Sequence, residues 1–267
     1  MNVCDVIHGN GPIVLGQPHG GRFVPDDLMA RLNVTGQKIA DTDWHIARLY
    51  NGLLPSATIV KSNVHRYVID ANRDPGGLSL YPGHNTTNLC PTTDFDGKAI
   101  WKNGQTPSQD ELTSRIARYH APYHTALQTE LERVKTIHGC AILFDCHSIR
   151  SNISFLFDGI LPVFNIGTDS GKTCASRIES TVLENCEATS PAFDTVLNGR
   201  FKGGWTTRHY GQPEQGQHAI QLEIAQRAYM QEAEPWTYLQ DRADQIRPVL
   251  YGVLQDLDAL ARSGVLT

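Results

Sequence analysis

Gly139-Cys140-Ala141-Ile142-Leu143-Phe144-Asp145-Cys146-His147-Ser148 is the stretch of sequence that decides the fold. Its small and apolar residues up to Phe144 predict a buried β-strand, and a carboxylate and an imidazole follow it directly. Ligands of open α/β sheets bind at the carboxyl edge of the strands, so the stretch predicts a polar site at that edge. Side chains alternate along a strand, which places Asp145 and His147 on one face. A single histidine after an apolar strand is also compatible with a purely structural role.

A second histidine lies in a similar setting near the start of the chain. Residues 13–17 predict a short strand, and Pro18-His19-Gly20-Gly21-Arg22 follows it. Small residues beside a histidine leave room for a metal ion and its water. Zinc hydrolases keep three protein ligands and one open position, so His19 and His147 would need one carboxylate to complete such a set.

The upstream candidates for that carboxylate are Asp41 and Asp43. They begin a segment, residues 41–54, whose apolar spacing predicts an amphipathic helix. Carboxylates at a helix N-terminus also complement the helix dipole, so spacing alone leaves a metal role and a structural role open for both residues.

An Asn-Arg pair follows the predicted strand at 66–70. Asn72 and Arg73 offer planar hydrogen-bond donors to a carboxylate of a ligand. The structural alternative is a salt bridge from Arg73 to Asp70 or Asp74.

A buried carboxylate is expected at Glu223, inside the apolar strand predicted at 218–224. Burial of a carboxylate is costly unless the group is paired or functional, and it raises the pKa toward the range of a general base. An ion pair with Arg227 is the structural alternative.

The glycine-rich segment 199–216 carries several cationic side chains, among them Lys202 and Arg208. A flexible segment of this kind can close over an anionic substrate. An exposed polar loop is the alternative interpretation.

Strands and helices alternate along the 267 residues, which predicts α/β layering in a single domain that covers residues 1–267. Residues 74–103 lack periodicity and predict a long functional loop. Ser108 and Glu111 form a capping box, and Pro122 predicts a break in the helix that follows it. Helices are expected at 25–32, 41–54, 108–135, 173–185 and 235–262, and strands at 13–17, 57–60, 66–70, 139–144, 153–157 and 218–224.

Composition excludes several classes of protein. The net charge of −5 argues against a protein that binds the phosphate backbone of nucleic acids. No apolar stretch has the length of a membrane span, and the N-terminus lacks the pattern of a signal peptide. Six scattered cysteines without a CxxC pair predict reduced thiols, as in a cytoplasmic protein.

Six segments, in order along the chain, resemble the N-formylglutamate amidohydrolase (deformylase) family. Each motif alone is weak, but six in the same order make a specific signal over most of the chain. The segments are Pro-His-Gly-Gly-Arg-Phe-Val-Pro at 18–25, Asp-Thr-Asp-Trp-His at 41–45, Val-Ile-Asp-Ala-Asn-Arg-Asp-Pro at 68–75, Leu-Phe-Asp-Cys-His-Ser at 143–148, Lys-Gly-Gly-Trp-Thr-Thr-Arg-His-Tyr-Gly at 202–211 and Gln-Leu-Glu-Ile at 221–224.

The resemblance implies a single-domain α/β fold with a central mixed sheet flanked by helices, similar to zinc carboxypeptidases and succinylglutamate desuccinylases. It implies that His19 and His147 are zinc ligands and that Glu223 activates water. It also implies that Asn72 and Arg73 hold a carboxylate of the substrate.

The chain departs from those relatives at one ligand. They supply the second ligand as His-x-x-Glu, and that position is Arg22 here. The acidic ligand must therefore come from elsewhere, and it is expected to be Asp43, because Asp43 opens the predicted helix nearest the sheet edge, with Asp41 as the next choice. Asp145 is expected to orient His147 from the side of the imidazole that faces away from the metal.

The function implied by the resemblance is metal-dependent hydrolysis of N-formyl-L-glutamate to formate and L-glutamate, a step of histidine degradation. One Zn²⁺ ion is expected, although cobalt or manganese can share such ligands. Arg208 or Lys202 is expected to meet the side-chain carboxylate of this small dicarboxylate substrate. The alternatives are an amidohydrolase acting on a different N-acyl amino acid and a non-catalytic ligand-binding protein on the same fold.

A cysteine hydrolase that uses Cys146 with His147 is a further alternative. Adjacent residues of a strand point to opposite faces, so these two side chains are not expected to form a nucleophile and base pair.

Overall fold

A mixed β-sheet forms the centre of the computed structural model, which describes residues 2–79, 83 and 85–266. The strand order is β1-β3-β2-β4-β7-β5-β6. Strands β2, β3, β4 and β7 run parallel to one another, whereas β1 and the pair β5 and β6 run the opposite way. The strands are β1 (Cys4–Ile7), β2 (Ile13–Gln17), β3 (Thr58–Ser62), β4 (Ala141–Ile149), β5 (Phe164–Gly167), β6 (Thr195–Leu197) and β7 (Gln217–Ala225).

Helices cover both faces of the sheet, and the predicted α/β architecture is confirmed. On one face α2, α5 and α7 pack against Leu15, Phe144 and Leu222. On the other face α4 packs against Val14 and Leu143. The helices are α1 (Asp26–Arg31), α2 (Ile46–Tyr50), α3 (Gln109–Arg115), α4 (Ala121–His138), α5 (Ser176–Glu187), α6 (Trp205–Tyr210) and α7 (Gln240–Arg262).

The pairing of β4 with β7 sets the positions of the polar groups at the sheet edge. In this parallel register Asp145 lies opposite Gln221, and His147 lies opposite Glu223. Residues two apart on a strand share a face, so all four side chains project from the same face of the sheet. Strand β4 continues to Ile149, so Asp145 and His147 lie inside the strand and not after its end.

Two predicted strands are wrong. Residues 66–70 and 153–157 form turns and irregular structure, while β1, β5 and β6 were not predicted. The apolar residues of the first segment, such as Tyr67 and Val68, are buried in a separate cluster with Leu32. The apolar pattern of residues 66–70 therefore reflects burial in a second core cluster and not pairing in the sheet.

The helix predicted at 41–54 is much shorter in the structure. Helix α2 begins at Ile46, after His45 has adopted a left-handed conformation with φ 60°. Asp41 and Asp43 thus precede the helix and do not lie in its first turn. The Asp43 carboxylate bonds instead to Arg66 and to the backbone N–H of Ser148, which holds it at the sheet edge.

The long helix predicted at 108–135 is divided as the sequence suggested. Ser108 caps α3 by accepting a hydrogen bond from the backbone N–H of Glu111 at 3.3 Å. A π-helical turn over Ile116–His120 separates α3 from α4, and Pro122 lies in the first turn of α4, where its missing N–H costs nothing. Within the described residues, the loop predicted at 74–103 has no helix or named strand, and its residues 80–82 and 84 lie outside the described part.

Candidate active site

His19, Asp43 and His147 come together at the carboxyl edge of the sheet, and each is at most 3% exposed. The Nδ1 atoms of the two histidines lie 3.2 Å apart. The Oδ2 atom of Asp43 lies 3.4 Å from Nδ1 of His147 and 3.9 Å from Nδ1 of His19. His147 is carried by β4, whereas His19 follows β2 and Asp43 precedes α2. The structure thus brings together three residues that the sequence singled out from separate segments.

The outer nitrogen of each histidine faces a second carboxylate. His19 Nε2 lies 2.6 Å from Asp70 Oδ1, and His147 Nε2 lies 3.1 Å from Asp145 Oδ1. Such carboxylate–histidine pairs orient the ligands of metal sites and raise their basicity. The pairing of Asp145 agrees with the expected supporting role. The sequence did not predict that Asp70 would contact His19, although its position directly after the apolar residues Val68 and Ile69 was a signal that could have indicated it.

The three inner atoms fit a divalent metal ion. In the tautomer that carries its proton on Nε2, each histidine presents the lone pair of Nδ1 toward the Asp43 oxygen. Ligands of a tetrahedral zinc ion at ~2.1 Å lie roughly 3.4 Å from one another. The observed separations of 3.2, 3.4 and 3.9 Å are close to that value. Two imidazoles and a carboxylate also leave an open position for water.

Arg66 fixes the Asp43 carboxylate. Its Nη2 atom donates to Asp43 Oδ1 at 2.6 Å, and the backbone N–H of Ser148 donates to Oδ2 at 3.0 Å. Burial by itself would raise the pKa of Asp43, but Arg66 and the two imidazoles outweigh burial and lower it. Asp43 therefore stays ionised, as a metal ligand must.

Asp41 is directed away from the histidines. It accepts hydrogen bonds from the Tyr67 hydroxyl at 2.7 Å and from the backbone N–H of Phe95 at 2.8 Å. Burial raises its pKa to about 6, against the opposing effect of Tyr67 and Arg66. Of the two aspartates left open by the sequence, Asp43 is the one next to the histidines.

The two histidines differ in their electrostatic surroundings. Burial and the charge of Arg66 lower the pKa of His19, although Asp70 opposes this shift. Burial also disfavours the charged form of His147, but Asp145 and Asp43 outweigh it and raise the pKa of that histidine well above its usual value. Negative charge is therefore concentrated around His147, where a cation would be stabilised.

Glu223 lies beside His147 on the same face of the sheet. Gln221 Nε2 donates a hydrogen bond to Glu223 Oε2 at 3.1 Å. Burial raises the pKa of Glu223 to about 7, partly offset by His147 and reinforced by Asp43. The alternative ion pair with Arg227 is not formed, because Arg227 pairs with Asp194 at 3.2 Å.

Cys146 projects to the opposite face of the sheet, within the core under α2. Its thiol is fully buried and donates to the backbone carbonyl of Phe144 at 3.5 Å. Burial also raises its pKa well above the usual range of a thiol. A nucleophile and base pair with His147 is therefore excluded, as strand geometry predicted.

A small cavity of about 70 Å³ opens onto these groups. His19, His147 and Glu223 border it from the sheet edge. Loop residues border the rest, and among them are Arg66, Asn72, Arg73, Thr87, Phe95, Leu156, Arg200 and Phe201.

Asn72 and Arg73 both reach this cavity. Asn72 Nδ2 lies 3.2 Å from His147 Nε2, and its Oδ1 accepts from the backbone N–H of Thr206 at 2.8 Å. Arg73 Nε donates to the carbonyl of Thr87 at 2.9 Å. The salt bridge suggested as a structural alternative is also present, since Arg73 Nη1 lies 3.6 Å from Asp70 Oδ2. The salt bridge and the position at the cavity are therefore compatible.

Neither Arg208 nor Lys202 borders the cavity. Arg208 Nη1 lies 3.3 Å from Asp169 Oδ1, and Lys202 is exposed. Their assignment to the side-chain carboxylate stays a prediction. Arg200, two residues before Lys202, does border the cavity and was not predicted to do so.

Comparison with known proteins gives a consistent result. Residues 11–230 match the model of the N-formylglutamate amidohydrolase family. An N-formylglutamate deformylase of Pseudomonas aeruginosa is 42% identical over 255 residues, which cover 95% of each chain. One from Pseudomonas putida is 42% identical over 250 residues, which cover 93% of each chain.

Solved structures show a similar fold. An N-formylglutamate amidohydrolase from Ralstonia eutropha superposes with a TM-score of 0.81 at 22% identity, over 98% of this chain and 99% of that chain. A gene product of Agrobacterium tumefaciens superposes with a TM-score of 0.73 at 18% identity, over 100% of this chain and 97% of that chain. Among the described residues, none of the helices combines the length and apolar character needed to cross a membrane.

Proposed function

The chain belongs to the N-formylglutamate amidohydrolase family, and from this membership we propose that it hydrolyses N-formyl-L-glutamate to formate and L-glutamate. The relatives at 42% identity carry the name of that activity. We further propose that residues 1–267 form one catalytic domain that works in the cytoplasm as part of histidine degradation.

The observation that carries the proposal is the convergence of three buried ligand atoms next to a buried glutamate. His19, Asp43 and His147 meet at one end of a cavity that Glu223 and Arg73 also border. An amide hydrolase needs an electrophile, a base and an anchor for its substrate within one cavity. This arrangement supports hydrolysis over ligand binding alone, because a binding protein does not need a buried base beside a group of metal ligands.

His19, Asp43 and His147 would hold one Zn²⁺ ion. When bound there, zinc would polarise the formyl oxygen and lower the pKa of water. Asp70 and Asp145 hold the two imidazoles in place from behind, through contacts of 2.6 and 3.1 Å.

Glu223 is the proposed general base. Its carboxylate takes a proton from the attacking water as the water oxygen bonds to the formyl carbon. It then gives that proton to the nitrogen as the carbon–nitrogen bond breaks, so formate and the amino group of glutamate are released. Gln221 orients the carboxylate through its hydrogen bond to Oε2.

Asn72 and Arg73 are the proposed anchors of the α-carboxylate. A guanidinium group held in one plane presents two parallel N–H donors to a carboxylate. Bonds within the loop supply that constraint: Nε of Arg73 donates to the carbonyl of Thr87, Nη2 donates to its hydroxyl at 3.0 Å, and Nη1 donates to the carbonyl of Asn72 at 3.0 Å. A substrate carboxylate would share these donors.

Formate release from N-formyl-L-glutamate, measured beside the metal content of the purified protein, tests the proposal. We expect bound zinc, loss of activity after treatment with a chelator and recovery after zinc is added. N-formyl, N-acetyl and N-succinyl glutamate compared side by side test the acyl group. Faster hydrolysis of the acetyl or succinyl compound would contradict the proposed formyl specificity. Absence of all hydrolysis in the zinc-loaded protein would contradict the proposed activity itself.

A further inference from the structure

Three arginines border the candidate active-site cavity in the described part of the chain: Arg66, Arg73 and Arg200. Arg66 is buried between carboxylates, with Nη2 at 2.6 Å from Asp43 and Nη1 at 3.7 Å from Asp70. It therefore belongs to the metal-ligand cluster. Arg73 and Arg200 are the two other guanidinium groups at the wall of the cavity.

Both of these guanidinium groups are held against one short loop segment. Arg73 Nε donates to the carbonyl of Thr87 at 2.9 Å, and Arg200 Nη2 donates to the carbonyl of Asn85 at 3.1 Å. The two anchoring residues are two positions apart, so their backbones are separated by at most about 7 Å. The loop thus holds two cationic groups near each other on one side of the cavity.

That arrangement fits a dicarboxylate of the size of glutamate. Three carbons separate its carboxyl carbons, which lie roughly 5 Å apart in the extended form given bonds of ~1.5 Å. A carboxylate that leaves water for a protein cavity needs a charged, hydrogen-bonding partner. Arg73 satisfies this requirement for one carboxylate only.

The geometry points to Arg200 as the residue that binds the side-chain carboxylate of the substrate and so selects a dicarboxylate amino acid. This inference rests on the proposed function and on Arg73 as the anchor of the α-carboxylate. Arg200 Nε also donates to the carbonyl of Leu156 at 2.9 Å, which fixes the plane of the guanidinium. A guanidinium fixed in this way discriminates between a carboxylate and a neutral amide, because it offers only donors.

The sequence favoured Arg208 or Lys202 for this role. Arg208 is directed at Asp169, and Lys202 lies on the exposed side of the same segment. Arg200 precedes the family-like motif at 202–211 and follows β6, the edge strand that the sequence did not reveal. Its position at the cavity depends on where β6 places the chain, and this explains why sequence reasoning missed it.

Kinetics on two substrates test the assignment. N-formyl-L-glutamate and N-formyl-L-glutamine have nearly the same shape and differ at the side-chain terminus, which is a carboxylate in one and a neutral amide in the other. For Arg200→Gln we expect kcat/KM on N-formyl-L-glutamate to fall about 100-fold, mainly through KM, and kcat/KM on N-formyl-L-glutamine to stay within about twofold. Arg200→Lys should fall between wild type and Arg200→Gln, because it keeps the charge and loses the planar fork. Arg177→Gln, at an exposed position on α5, is the matched control and should leave both values unchanged.

Three outcomes would overturn the inference. They are an unchanged substrate preference in Arg200→Gln, an equal loss on both substrates, and a collapse of the preference in Arg208→Gln alone. Circular dichroism and thermal unfolding check the fold, and Arg200→Lys supplies the substrate ratio if Arg200→Gln does not fold.

Calorimetry separates this inference from the proposed function. Glutarate carries both carboxylates and butyrate carries one, and neither can be hydrolysed. Arg200→Gln should weaken the binding of glutarate and spare that of butyrate, whether or not the wild type releases formate. Equal binding of glutarate by wild type and variant would refute the role of Arg200, whereas absence of formate release in the wild type would refute only the proposed hydrolysis.

Discussion

The cavity has a strand side and a loop side, and they are held in place by different means. The strand side consists of His147, Gln221 and Glu223, with Asp145 behind His147, and the positions of these residues follow from the pairing of β4 with β7. The loop side consists of Arg73, Thr87 and Arg200, together with the loops that carry them. Its side chains are held by bonds to backbone carbonyls, such as that from Arg73 to Thr87.

The difference separates the proposed base from the arginines proposed to recognise the substrate. Strand register is hard to shift, because a slip by one residue would turn every side chain to the opposite face. The proposed base Glu223 and the proposed ligand His147 are held in this way, whereas His19 and Asp43 lie just outside β2 and α2. Loops tolerate sequence change, so the groups that select a substrate can vary without disturbing the base.

The largest effect should come from the strand side. We expect Glu223→Gln to lower kcat by about 10³-fold, because the amide cannot accept the proton of the attacking water. The side chain keeps its shape and can still accept from Gln221, so metal content and thermal stability should not change. Formate release and elemental analysis measure the two properties. Glu187→Gln, at the exposed end of α5, is the control, and normal turnover in Glu223→Gln would remove Glu223 from the role of base.

A glycine at the junction of the two sides gives the next largest effect. A Cβ atom added at Gly204 would lie 2.2 Å from Asn72 Nδ2, and that atom contacts His147. Gly204 has φ −78°, which alanine adopts freely, so the clash is purely steric. We expect Gly204→Ala to lower kcat/KM by about 10²-fold, the cost of an ångström-scale displacement near the chemistry.

Gly252→Ala in α7 is the matched control for that variant. The nearest atom to its added Cβ is the side-chain oxygen of Asn185 at 3.0 Å, which can move aside. Equal values of kcat/KM for Gly204→Ala and Gly252→Ala would show that Asn72 has room to move away from the added Cβ atom. The contact between Gly204 and Asn72 would then not hold the site rigid.

The sequence predicted the strand side better than the loop side. An apolar run ending in Asp145 and His147 is a local pattern, and burial of Glu223 follows from its apolar neighbours. The contacts of Asp70 with His19, and of Arg66 with Asp43, span 51 and 23 residues. No spacing rule predicts such contacts, because they depend on how loops fold over the finished sheet.

Segment 41–54 also shows that tertiary contacts, which the sequence pattern does not predict, decide the local structure. Its apolar periodicity predicted a helix that begins at Asp41, yet α2 begins at Ile46. The tertiary bonds of Asp43 to Arg66 and Ser148 outweigh local helix propensity. Asp43 lies beside the histidines, but the reason given for choosing it, its place at the start of the helix, is wrong.

The two carboxylates behind the histidines allow a direct comparison of a loop residue with a strand residue. Asp70→Asn and Asp145→Asn should each weaken zinc affinity or activity by about 10- to 100-fold. We expect the larger loss from Asp70→Asn, because its contact with His19 is 2.6 Å whereas that of Asp145 with His147 is 3.1 Å. Competition with a chelator measures the affinity. A larger loss from Asp145→Asn would mean that strand placement, and not contact distance, sets the strength of the support.

The smallest effect should come from an ion pair remote from the cavity. Glu111 on α3 accepts from Arg31 Nη1 at 2.7 Å and from Arg115, and so links α1 to α3. Slight burial opposes ionisation, but the two arginines outweigh it and lower the pKa of Glu111 to about 2. The stabilisation is therefore fully present above the unfolded-state value near 4.5 and is lost as the pH falls toward 2.

Glu111→Gln should consequently lower the free energy of unfolding by about 1 kcal/mol at pH 7, and by less than half as much at pH 3. Urea denaturation at the two pH values measures the change, with Glu132→Gln on the exposed face of α4 as control. Arg115 also donates to the carbonyl of Val68, two residues before Asp70, so this pair supports the segment that leads to the loop side. We expect KM to be unchanged, because Arg115 keeps that backbone bond in the variant. A raised KM in Glu111→Gln would show instead that substrate binding at the loop side depends on the ion pair between α1 and α3.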